Sequence, residues 1–128
     1  PPESQTFEVM AATGWQDSHV LIRAGDRVTV LYVSGLWTQQ ANVVALHKAA
    51  DSARYVCGRS DCVEIDPDAP QGTLVGRVGS QIVTIGNQAT FIAQTTRYLA
   101  LRMNDGDPGL YDNKGSVVVR IDVERVAT

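Results

Sequence analysis

Short runs of β-branched and other apolar residues alternate along the chain with turns rich in Gly, Asn and Asp. The runs at 6–10 and 19–23 are separated by a turn around Gly14 and Asp17, and Ala24-Gly25-Asp26 makes a tight turn before the run at 27–33. Within that run Arg27, Val28, Thr29 and Val30 alternate polar and apolar, the period of a half-buried strand. Further runs lie at 73–78, 81–85, 90–93, 98–103 and 116–123, punctuated by Gly79-Ser80 and Gly86-Asn87. Eight or nine short strands of this kind predict an all-β fold, a small antiparallel sandwich or jelly roll. Its core is expected to take Val28, Val30, Leu74, Val78, Ile82, Leu99, Leu101, Val117, Val119 and Ile121. The long connection after Trp37, residues 38–54, is the exception. Its middle, 41–53, is rich in Ala, Val and Leu and predicts a short helix, although clear caps are missing.

With 128 residues the chain makes one domain, expected over 5–126 after a linker-like start at Pro1-Pro2-Glu3-Ser4; that start suggests a mature chain or a domain of a longer protein. A net charge of −3 without a Lys/Arg run argues against a nucleic-acid partner. No stretch approaches the roughly 20 apolar residues of a membrane span, and none reads as a signal peptide. Cys57 and Cys62 stand in Cys-Gly-Arg-Ser-Asp-Cys, where Gly58 and Ser60 favour a turn able to bring the sulfurs together. A disulfide, and with it a secreted, extracellular or periplasmic protein, is the favoured reading; two free buried thiols are the alternative. Zinc is disfavoured, because only His19 and His47 could complete a four-ligand set.

The chemistry concentrates in one late loop between strand-like runs, Asn104-Asp105-Gly106-Asp107-Pro108-Gly109-Leu110-Tyr111-Asp112-Asn113-Lys114-Gly115. Calcium takes about 6–8 oxygen ligands from carboxylates, amides and backbone carbonyls, and such a loop can supply several. An acidic hairpin turn is the plain alternative, since Asp, Asn, Gly and Pro are turn formers for conformational reasons alone. An EF-hand is excluded. Ser116 stands where a loop counted from Asp105 would need its closing Glu, and Pro108 and Gly109 break the ligand alternation.

Taken in order, these pieces resemble the PA-I-like bacterial lectins, the calcium-dependent galactose-binding lectin A family and its wider relatives. The resemblance covers nearly the whole chain. It runs through Gly14-Trp15, the segment Ala24-Gly25-Asp26-Arg27-Val28-Thr29-Val30, and Ser34-Gly35-Leu36-Trp37. Beyond these come the two cysteines, Ala69-Pro70, Leu74-Val75-Gly76-Arg77-Val78-Gly79 and Ile85-Gly86. Leu101-Arg102-Met103-Asn104-Asp105 with Asp112-Asn113-Lys114-Gly115-Ser116 is its strongest part. It implies a jelly-roll β-sandwich of the galactose-binding-domain type. It also implies one calcium at the edge of the sandwich, completed by two hydroxyls of a bound sugar.

Carried over by residue, the resemblance makes Asp105 a carboxylate ligand and Asp112 and Asn113 the paired ligands before the glycine. Leu110 would give a backbone carbonyl, and Trp37 or Thr38 another. Departures are visible. The acidic loop has one extra residue near Gly106-Asp107 and one fewer between Tyr111 and Asp112. Leu110 replaces a Thr of the galactose-binding members, and Ala50 and Ala53 stand where those members select the sugar with a His and a Gln.

Several residues keep two readings. His47 is a sugar contact or an exposed histidine; Trp37 stacks on a sugar or packs in the core; Asp107 is a further ligand or a solvated acid. Trp15 is expected to pack, and Asp26 to stabilise its own turn. No nucleophile, base and orienting group stand in a recognisable motif, so no enzymatic activity is expected. The leading expectation is a calcium-dependent carbohydrate-binding module, its partner a sugar that could be of galactose type. Useful binding would come from homo-oligomerisation or attachment to a larger protein. The alternatives are a structural or protein-interaction domain whose loop calcium rigidifies, and a binding fold that has lost its metal.

Overall fold

In a computed structural model the described residues are 3–39, 46–49, 69, 72–105, 110 and 113–125. They form eight strands: β1 (Glu3–Met10), β2 (Gln16–Ile22), β3 (Arg27–Thr38), β4 (Leu74–Val78), β5 (Gln81–Thr84), β6 (Gln88–Ile92), β7 (Arg97–Met103) and β8 (Lys114–Glu124). Two antiparallel four-stranded sheets, ordered β1-β8-β3-β6 and β2-β7-β4-β5, make an all-β jelly-roll sandwich. None of the described residues belongs to a helix long and apolar enough to cross a membrane.

The two-residue side-chain period sorts each strand into a core face and an outer face. Val28 and Val30 of β3 and Val117, Val119, Ile121 and Val123 of β8 point inward from the first sheet. They meet Ile22 of β2, Leu74 and Val78 of β4, and Leu99, Leu101 and Met103 of β7. Ile82 does not join them. It is 45% exposed on the outer face, opposite Arg77, while its neighbour Val83 packs against the core.

Other differences concern boundaries. β1 begins at Glu3, so Glu3 and Ser4, expected as linker, pair with Val123 and Asp122. β3 runs on through Gly35 to Thr38, absorbing an irregularity between Tyr32 and Ser34 in its pairing with β8. Gly35 has φ +93°, and a Cβ there would overlap Ser116's carbonyl oxygen, so only glycine lets the two strands continue side by side. A helix over 41–53 is not formed at 46–49, where His47 bridges to Trp37 and the Ala49 carbonyl accepts the Leu74 N–H at 2.8 Å; the rest of that segment lies outside the described residues.

Asp26 holds its turn as expected. Its Oδ2 accepts the Arg23 N–H at 2.8 Å and also meets the Arg125 guanidinium at 2.9 Å, closing the β2–β3 corner onto the end of β8.

Candidate functional site

The ends of β3 and β7 and the start of β8 come together at one edge of the sandwich. Trp37 pairs with Gly115 and Thr38 with Lys114, which sets the exit of β3 beside the entry of β8. Gly115 (φ +90°) makes this approach possible, because a Cβ would overlap the Leu36 carbonyl and come within 2.9 Å of Trp37 Cα. From the other sheet, Asn104 continues β7: its N–H donates to the Thr73 carbonyl at 2.7 Å, and its carbonyl accepts the Gly72 N–H at 2.9 Å.

The described polar residues of this edge, Thr38, Gln39, Thr73, Arg102, Asn104, Asp105 and Asn113, are all buried. Buried polar groups are costly unless bonded, and buried charges unless paired or on a metal. Most of this cluster is tied down by backbone groups. Arg102 folds over the end of β7, its Nε donating to the Met103 carbonyl at 3.2 Å and its Nη2 to the Asp105 carbonyl at 2.7 Å. Asn104 Nδ2 donates to the Ala69 carbonyl at 3.2 Å. The result is a rigid turn that carries the carboxyl group of Asp105, a residue only 3% exposed.

Asn113 is held as firmly. Its backbone N–H donates to the Leu110 carbonyl at 3.1 Å, and its Nδ2 donates to the Ala11 carbonyl at 2.9 Å. Ala11 is itself fixed by its N–H to the Gly115 carbonyl at 3.1 Å. With the amide NH2 committed in this way, Oδ1 is fixed in direction and buried without a hydrogen-bond partner among the described residues. A native structure contains few such atoms, and an ion is one of the usual reasons for them. A carboxylate, an unpartnered amide oxygen and a main-chain carbonyl at one edge are hard oxygen donors of the kind calcium takes.

The expected ligands are therefore distributed as follows. Asp105, Leu110, Asn113, Trp37 and Thr38 belong to this edge, while Asp107 and Asp112 lie outside the described residues, as do Cys57 and Cys62. The described residues contain no group of three His, Cys, Asp or Glu able to hold a metal; the set expected here depends instead on amide and carbonyl oxygens. Trp37's carbonyl already accepts the His47 N–H at 2.8 Å.

Two sugar-contact readings meet obstacles in the geometry. Trp37 is 0% exposed, so its ring belongs to the core and offers no face to a sugar. Both ring nitrogens of His47 are engaged, Nδ1 with the Lys48 carbonyl and Nε2 with Gln39 Oε1, each at 2.7 Å. Three residues that sequence reasoning passed over matter here: Arg102, Gln39 and Ala11. Arg102 sits at an outward position of β7 and reads as a surface charge, but the Trp15 ring lies 5.7 Å from its guanidinium. Ala11 contributes only its backbone, which no side-chain pattern reveals.

No family model matches the chain, and no curated protein matches its sequence. Among solved structures the chain is similar to the EclA N-terminal domain, described as a PllA-like lectin, with a TM-score of 0.70 and 21% identity over 93% of this chain and 95% of that one. At that identity the likeness establishes a shared fold: this chain is a β-sandwich of the kind found in a PllA-like lectin domain.

Proposed function

We propose that the chain is a calcium-dependent carbohydrate-binding module, related to the PA-I-like lectins and working in an exported protein. The observation that carries this reading is Asn113 Oδ1, a buried acceptor aimed by its own amide group and left without a donor among the described residues. Asp105, Asn113 and the Leu110 carbonyl would hold the ion, with Asp112 and a carbonyl from Trp37 or Thr38 completing the protein's share. When bound, Ca2+ supplies positions at which adjacent sugar hydroxyls can replace water. The chain's part is to fix the oxygens in advance: the Arg102 clamp sets Asp105, and the Ala11 carbonyl sets Asn113. The fold shared with a PllA-like lectin domain supports the carbohydrate half of the proposal.

Calorimetric titration with calcium, followed by a glycan array with and without EDTA, tests both halves. Extracellular calcium modules bind with a Kd of about 0.1–1 mM, the range expected here. Glycan signal that survives chelation, or a calcium titration without saturable heat, would overturn the reading.

The engaged state of His47 and the burial of Trp37 favour a second reading, in which the same ion only rigidifies the loop of a structural or protein-interaction domain. Saturable calcium heat with an array blank under both conditions would select it.

A further inference from the structure

The outer face of the second sheet carries a groove that adjoins the loop edge through Trp15, whose ring lies 4.4 Å from Arg77 and 5.7 Å from Arg102. Asp17 of β2, Ala100 of β7 and Arg77 of β4 lie side by side across three strands. Leu99 and Leu101 point into the core, so Tyr98 and Ala100 face outward by the alternation of β7. Trp15 and Arg97 complete the walls of a cavity of about 470 Å³, within the roughly 300–1,000 Å³ of small-molecule sites. None of the residues proposed to hold calcium lines this groove, so the two sites are distinct although Trp15 adjoins both.

Its chemistry is mixed in an informative way. Arg77 lies 4.4 Å from the centroid of the Trp15 ring, which holds the guanidinium in place. Neither Arg77 nor Arg97 has a carboxylate or hydrogen-bond partner among the described residues. An unpaired guanidinium kept in position by stacking is preorganised for a planar carboxylate, which it can bind through two parallel N–H donors. Opposite it, Asp17 uses Oδ1 to accept the His19 N–H at 2.7 Å, while Oδ2 stays 3.9 Å from the nearest imidazole nitrogen and can accept a hydroxyl proton. Tyr98, 50% exposed, adds an aromatic ring at the rim, and Ala100 and Gly79 leave the floor open.

We propose that this groove is a second binding site, for a saccharide that bears a carboxylate, of the uronic-acid class. The acid pairs with Arg77 and Arg97, a ring hydroxyl donates to Asp17, and the apolar face of the sugar rests on Tyr98. Asp17 disfavours a fully deprotonated inorganic anion such as sulfate, which has charge to give the arginines but no proton to donate to a carboxylate. A chain with net charge −3 likewise disfavours a polyphosphate backbone.

Intrinsic fluorescence reads the site, because one of the two tryptophans, Trp37, is fully buried while Trp15 lines the groove. The full chain is titrated in EDTA, which silences the loop edge, with D-galacturonate, its methyl ester, galactose and inorganic phosphate. A saturable change is expected with galacturonate, weaker by about tenfold or more with the ester and with galactose, as for loss of a charge-assisted contact. Arg77→Gln is expected to lose the same factor, and Arg97→Gln, at an exposed position, supplies the test if the first variant does not fold. Phosphate binding as tightly as galacturonate, the ester binding equally well, no saturable change, or unchanged affinity in the folded arginine variant would each overturn the proposal. Because calcium is absent throughout, the outcome is independent of the loop reading.

Discussion

Replacing Asn113 by Ala separates the two things this side chain does. Without calcium, the wild-type amide gains a hydrogen bond from Nδ2 to the Ala11 carbonyl at 2.9 Å and carries a buried Oδ1 with no partner among the described residues. The bond contributes about 0.5–1.5 kcal/mol, and an orphaned buried acceptor costs about 1–3 kcal/mol. Removing both leaves the Ala11 carbonyl short of a donor, so the effects nearly offset, and Asn113→Ala in EDTA is expected within about 1 kcal/mol of the parent. Calcium changes the comparison. At 100 times its Kd, an ion that binds only the folded chain adds about 2.7 kcal/mol. For 128 residues each kcal/mol moves the midpoint by about 4 °C, so the parent gains about 10 °C on calcium addition and the variant little of it. Thermal unfolding followed by circular dichroism, with EDTA and then with excess calcium, measures all four midpoints. A variant that keeps the full calcium shift, or one already several kcal/mol less stable in EDTA, would refute the role assigned to Oδ1.

Further expectations concern the fold. Leu101→Ala should cost about 2–5 kcal/mol in urea unfolding, whereas Ile82→Ser on the outer face should stay within about 0.5 kcal/mol; equal losses would mean that Ile82 is core after all. Asp26→Ala removes the acceptor of both the Arg23 N–H and the Arg125 guanidinium and is expected to cost about 2 kcal/mol, measured in the same way; a negligible loss would dismiss the corner as a stabilising contact. Asp122 is held below the usual carboxylate range by the Ser4 hydroxyl at 2.6 Å and then by Arg120. A depressed folded pKa contributes stability above the unfolded value of about 3.9, and that stability is lost as pH falls through the lower folded value. Ser4→Ala should therefore flatten the loss of stability between pH 5 and pH 3, and NMR titration should show the Asp122 pKa moving up; an unchanged titration would remove Ser4 as the cause.

The strands were legible where one face is buried and the other wet, as at Arg27-Val28-Thr29-Val30. Alternation failed where both faces are covered or both are open. Ile82 sits on a short strand whose core-facing positions fall on Gln81 and Val83, so an apolar residue could face outward at little cost. The continuation of β3 was hidden by Gly35, which reads as a terminator but serves as a point of close strand approach. At the loop edge the sequence drew attention to Asp105 and Asn113 as a motif. It did not reveal that Arg102 would be covered by Trp15, or that the carbonyl orienting Asn113 would come from Ala11, 102 positions earlier. Contacts of that separation are set by the sheet order, which no local pattern encodes.

The position of β8 between β1 and β3 has a consequence for biosynthesis. As the ribosome releases the chain, both neighbours of this strand have long since emerged, yet neither can complete its ladder until residues 114–124 follow. The first sheet therefore closes only once residues 114–124 are available, in one late event that brings Glu3 against Val123. Until then two strand edges stand open, and a chaperone or a short-lived pairing partner would find them there.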